Sequence, residues 1–122
     1  MRFAPEVYTS KILESKAFYC DHLGFKVKME LEGFVVLRHA KDTAYEILFC
    51  VPDSPYVDKI FRPSFKGQGL IFQMEVDNAE AEYKRLKDKV PIMLKLVDEE
   101  INGKHFTVKD PNGILIDIVQ YH

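Results

Sequence analysis

Gly103 to Gln120 reads GKHFTVKDPNGILIDIVQ, and this stretch decides the fold. It is strand, tight turn, strand. Phe106 and Val108 alternate with polar residues before the turn, and Ile114, Ile116 and Ile118 alternate after it. The turn is Asp110-Pro111-Asn112-Gly113, in which proline presets φ and Asn-Gly tolerates positive φ. Asp117 falls inside a β-branched strand. Strands disfavour aspartate and a buried charge needs a partner, so Asp117 marks a candidate site.

Upstream of this hairpin the same order of elements occurs twice. Phe3 to Thr9 is predicted as a strand, and Ser10 as the cap of a helix with an apolar stripe of Ile12, Leu13, Ala17, Phe18 and Leu23. Gly24 stops that helix. Phe25 to Leu31 alternates as a strand with one wet face, Glu32-Gly33 turns the chain, and Phe34–His39 and Ala44–Val51 are strands. Residues 52–69 break the pattern with three prolines and with Tyr56, Phe61 and Phe65, a stretch suited to a lid or to an interface. Leu70–Val76 is then a strand, and Asp77 or Asn78 caps a helix with Ala79, Ala81, Tyr83, Leu86 and Val90 along it. Pro91 stops the helix, and Ile92–Val97 is a strand leading into the hairpin. The expectation is an α+β chain of two tandem βαβββ modules, 1–51 and 70–122, joined by a 52–69 linker loop within one 1–122 domain.

Three segments together carry a resemblance. Ser15-Lys16-Ala17-Phe18-Tyr19 is followed by Leu23-Gly24-Phe25, Val76 to Glu80 reads VDNAE, and Gly103 to Gln120 ends in DPNG with an acid four residues beyond the glycine. In this order and spacing the chain resembles the glyoxalase/bleomycin-resistance/extradiol-dioxygenase group, the vicinal oxygen chelate superfamily. The resemblance implies curved mixed sheets facing each other around a cup, with helices on the outer faces, and a homodimer. It also implies four metal-ligand positions in the cup, which fall at Ala4, Glu46, Ile71 and Asp117. Ala4 and Ile71 offer no lone pair, and a divalent ion in such a site needs roughly three or more protein donors. The expectation is therefore no cofactor. The alternative is a divalent metal (Ni, Zn, Fe or Mn) on Glu46 and Asp117, rescued by Glu6 or Gln73, which share strand faces with the lost positions.

The candidate ligand-binding residues are Tyr8, Glu46, Gln73, Phe106 and Asp117; no catalytic residue is assigned. His105 borders the expected cup. Cys20 and Cys50 lack metal-type spacing and are read as reduced thiols, placing the protein in the cytoplasm. The net charge of −2 comes with both signs mixed along the chain, which argues against nucleic acid as a partner, and no apolar run is long enough to span a membrane. Phe34, Val36 and Phe49 supply apolar strand-face surface for a dimer.

Two functions follow. The first resembles the bleomycin-resistance branch: a metal-free protein that holds an aromatic or cationic small molecule, with Glu6, Glu46, Glu75 and Asp117 forming an acidic cup. The second is a metal-dependent enzyme of the same fold, a lactoylglutathione lyase-like isomerase, epimerase, dioxygenase or thiol transferase. In that enzyme the metal stabilises an enediolate-type anion. Without the metal that charge would develop among carboxylates, the wrong sign, and the first reading is preferred.

Overall fold

The computed structural model describes all of residues 1–122. By packing, the chain divides into two units, Met1–Phe65 and Lys66–His122. Each is a βαβββ module, so the expected α+β class and tandem order hold.

In the first unit β1 (Glu6–Tyr8), α1 (Ile12–His22), β2 (Phe25–Leu31), β3 (Phe34–His39) and β4 (Glu46–Cys50) form a sheet in the order β1-β4-β3-β2. β1 runs parallel to β4, and the other pairs are antiparallel. The helix packs on β2, β3 and β4. Its buried residues are Ser15, Phe18 and Tyr19, and Tyr19 meets Phe49 at 5.4 Å. Leu13 and Ala17, expected in the apolar stripe, are exposed. The expected Ser10 cap is absent: the helix begins after Lys11, whose N–H donates to Thr9 Oγ1 at 2.9 Å. β2 is an edge strand and does not keep one apolar face buried; Val27, Met29 and Leu31 all meet solvent.

Of the 52–69 connection, residues 52–65 pack with the first unit. A single helical turn, Lys59–Phe61, brings the Phe61 ring parallel to Tyr8 with centroids 5.5 Å apart. The Phe65 N–H donates to the Tyr8 carbonyl at 2.9 Å. Tyr56 is fully exposed.

In the second unit β5 (Ile71–Glu75), α2 (Ala79–Leu86), β6 (Ile92–Glu99), β7 (Gly103–Lys109) and β8 (Leu115–Gln120) repeat the order as β5-β8-β7-β6. Asn78 caps α2, its Oδ1 accepting from the Ala81 N–H at 3.0 Å. Every second residue of β8 faces the helix: Ile116 and Ile118 are buried with Phe106 and Val108 of β7. Fully burying one such side chain stabilises the fold by roughly 1.5–3 kcal/mol. The hairpin turn forms as read. Asp110 Oδ1 accepts from the Asn112 and Ile114 N–H groups, each at 2.8 Å, and Gly113 takes φ +83°. No helix is long and apolar enough to cross a membrane.

Candidate functional site

Strand alternation gives each sheet one face under its helix and one facing away from it. In the first unit the helix face holds Val7, Ile47 and Phe49. The opposite face holds Tyr8, Glu46, Leu48 and Cys50, since Glu6 pairs with Leu48 and Tyr8 with Cys50 across β1 and β4.

Glu46 is the centre of this face. Its side chain is 4% exposed, and three cations converge on it. Arg2 Nε donates to Oε1 at 2.5 Å, while Lys28 Nζ and Arg38 Nε donate to Oε2 at 2.9 Å each. Arg38 is its register partner on β3. Lys28 occupies the extra position of a bulge between Val27 and Met29 on β2, which re-aims its side chain. The hydrogen bonds from Lys28 and Arg2, against the cost of burial, hold the Glu46 carboxyl down to about 2 from its ordinary 4.5.

Three cations and one carboxylate leave a surplus of +2. The acidic face expected from the sequence is therefore corrected at Glu46: the carboxylate is present, but the field around it is positive. The sequence reading missed Arg2, Lys28 and Arg38. Arg38 was findable from the short connection between β3 and β4, whose register sets it opposite Glu46. Arg2 carried no local signal.

Tyr8 lies on the same face as Glu46, half-buried and stacked on Phe61. Burial and the neighbouring Glu6 push its phenol above the ordinary value. Cys50 is a buried thiol, raised chiefly by burial.

The second unit holds a different cluster. On the face away from α2, Gln73 of β5 and Thr107 of β7 are the two register partners of Asp117 on β8. His105 Nδ1 lies 2.8 Å from Asp117 Oδ1, and its Nε2 lies 2.5 Å from Glu99 Oε1. The imidazole donates to both acids when doubly protonated. The bond to Glu99, then that to Asp117, raises the His105 pKa above 6.5. Glu99 is lowered by the same bond. Asp117 is thus a half-buried, paired carboxylate. Glu99, at the end of β6, was not anticipated because its partner lies across a hairpin.

Phe106 needs a correction. It was placed among the ligand-binding residues, but it is completely buried on the helix face with its ring 5.1 Å from Tyr83 of α2. Alternation sets it on the opposite side of β7 from His105 and Thr107. Of the other candidates, Tyr8 and Glu46 share one face in the first unit, and Gln73 and Asp117 are neighbours in the second.

A model of the Glyoxalase/Bleomycin resistance protein/Dioxygenase superfamily matches residues 4–118. The chain belongs to this superfamily. Solved structures share its fold at low identity. One is a protein of unknown function from Agrobacterium tumefaciens str. C58, with TM-score 0.77 and 22% identity over 100% of this chain and 95% of that one. Another is TnmS3, an antibiotic binding protein from Streptomyces sp. CB03234, with TM-score 0.71 and 18% identity over 100% and 96%. A third is a lactoylglutathione lyase from Agrobacterium tumefaciens, with TM-score 0.72 and 21% identity over 98% and 92%. Among curated proteins no sequence matches the chain.

Superfamily membership raises the question of a divalent metal, and the residues at the expected positions do not fit one. Ala4 and Ile71 have no donor atom. Both Glu46 oxygens are already taken by cations. Asp117 has His105 as its ion-pair partner. The suggested rescuers do not complete a set: Glu6 flanks Tyr8, and Gln73 adds one amide beside Asp117. Within each unit no group of three or more His, Cys, Asp or Glu side chains is placed to hold a metal ion.

Proposed function

We propose that this superfamily member is a small-molecule-binding protein that works without a resident metal. One observation carries the reading. At the family's second ligand position Glu46 is saturated by Arg2, Lys28 and Arg38, so protein cations already occupy the ground a metal would need. The antibiotic-binding relative of the same fold supports a binding role as a precedent. The exposed aromatic surface of Phe61 beside Tyr8 supports the aromatic part of the ligand expectation. The cationic part rests on an acidic cup of Glu6, Glu46, Glu75 and Asp117, and two of these four, Glu46 and Asp117, are already paired with protein cations.

The same reading includes a cytoplasmic homodimer. Val36 and Phe49 are buried in the chain and are not available to a partner. Each unit instead exposes apolar residues on its own edge strand that support self-association, Met29 and Leu31 on β2 in the first and Leu94 and Val97 on β6 in the second.

The test is calorimetric titration of the purified chain with Ni²⁺, Zn²⁺, Fe²⁺ and Mn²⁺, beside a thermal-shift screen of planar aromatic compounds. The expected result is no stoichiometric metal binding and a raised melting temperature with an aromatic subset. A ligand at ~100 times its Kd adds about 2.7 kcal/mol to stability. One equivalent of tightly bound divalent ion overturns the reading and restores metal-dependent isomerase or dioxygenase chemistry.

A further inference from the structure

Both arginines of the Glu46 cluster bind through Nε alone. Their terminal Nη groups donate to nothing within the protein, and Lys28 uses one of its three N–H donors. The side chains of Arg2, Lys28 and Arg38 keep 52%, 37% and 39% of their surface exposed, whereas Glu46 keeps 4%. The carboxylate is buried and the cations it gathers present their unused donors outward. Three like charges held around one acid repel one another, and a second anion relieves that repulsion. A guanidinium with a free Nη edge matches a planar oxyanion.

The same sheet face continues from this cluster through half-buried Leu48 to Tyr8, with Phe61 stacked on it. From Glu46 to Cys50, the register partner of Tyr8, is roughly 13 Å along the strand at about 3.3 Å per residue. Glu6, opposite Leu48, is the other acid on this face, and with it counted the surplus is still +1.

We infer that the Arg2–Lys28–Arg38 cluster around Glu46 is a receptor for the oxyanion of a small aromatic acid, whose ring lies along Leu48 toward Tyr8 and Phe61. This rests on the small-molecule-binding reading and narrows it to ligands carrying a carboxylate or a similar oxyanion. The buried Glu46 organises the cations and does not touch the ligand.

The experiment uses the ¹⁵N-labelled full chain at fixed ionic strength. It is titrated with 2-naphthoate, with its neutral isostere 2-naphthamide, and with inorganic phosphate. Naphthoate is expected to shift the Arg2 and Arg38 Nε–Hε signals and the β4 amides, and to bind about tenfold more tightly than the amide, the difference one charge-assisted contact makes. Arg38→Gln removes that preference, and Arg38→Lys retains part of it. If naphthoate and naphthamide bind equally, the oxyanion inference falls while the aromatic binding reading stands. If phosphate produces the same Nε–Hε shifts and naphthoate adds none on Tyr8 or Leu48, the cluster takes free oxyanions and the aromatic reading falls. If neither anion moves those signals, the inference is overturned.

Discussion

Arg38 and Glu46 face each other as register partners across β3 and β4, and the arginine Nε donates to Glu46 Oε2 at 2.9 Å. This pair anchors a cluster in which one buried acid serves three bases. The asymmetry sets the energetics. Losing one base leaves the acid doubly satisfied, whereas losing the acid leaves three bases without their common partner.

Glu46→Gln is therefore expected to destabilise the chain by about 1–3 kcal/mol, a figure lowered because the three cations are partly solvated. Lys28→Gln and Arg38→Gln are each expected to cost under about 1 kcal/mol. Urea denaturation measures all three. An equal cost for the glutamate and for either base would mean that a single pair, and not the shared carboxylate, carries the stability.

Acid sensitivity follows from the same cluster. The folded Glu46 pKa is about 2, below its ordinary 4.5. A depressed carboxyl contributes its stability above the ordinary value and loses it as pH falls toward the folded one. Wild type is expected to lose stability between pH 4.5 and 2 with a component that Glu46→Gln lacks. Denaturation midpoints across that range decide the matter, and parallel curves for the two proteins would reject it.

His105 has the opposite sign. Its folded pKa is raised above 6.5 by Glu99 and then Asp117, so its contribution is full below pH 6.5 and disappears as pH rises through the folded value. Asp117→Asn and Glu99→Gln are each expected to move the imidazole titration down toward 6.5, followed by NMR of the ring protons. A His105 titration indifferent to both substitutions would contradict the arrangement.

The hairpin turn gives a prediction that stands apart from any ligand. Asp110 is buried, and its carboxylate accepts from the Asn112 and Ile114 backbone and from the Asn112 side chain. Asp110→Ala is expected to cost about 2–4 kcal/mol by leaving buried N–H donors unmatched. Asp110→Asn, which keeps an acceptor oxygen, should recover roughly half of that loss or more. Equal losses, read from chemical denaturation, would place the effect in the charge and not in the acceptor geometry.

Much of the fold was legible because its signals are local. The Asp110-Pro111-Asn112-Gly113 turn, the alternation of Ile114, Ile116 and Ile118, and a cap at Asp77 or Asn78 each act over a few residues, and all three formed, the cap at Asn78. The misreadings came where packing overrode pattern. Leu13 and Ala17 fit a helical stripe but point to solvent, and β2 alternates although it is an edge. Phe106 was assigned a ligand although its own alternation placed it under α2.

The sequence by itself determined two tandem βαβββ modules and the absence of donor atoms at Ala4 and Ile71, because the identity of a side chain does not depend on its neighbours. Only the tertiary structure decided what Glu46 and Asp117 do. Arg2 and Lys28 reach Glu46 from 44 and 18 residues away, and Glu99 joins His105 and Asp117 only through the pairing of β6, β7 and β8. A period of two tells which face a residue takes. Which charges meet on that face is set by strand register, by the bulge at Lys28 and by a segment before β1, and these put a positive field around Glu46 where an acidic one is expected.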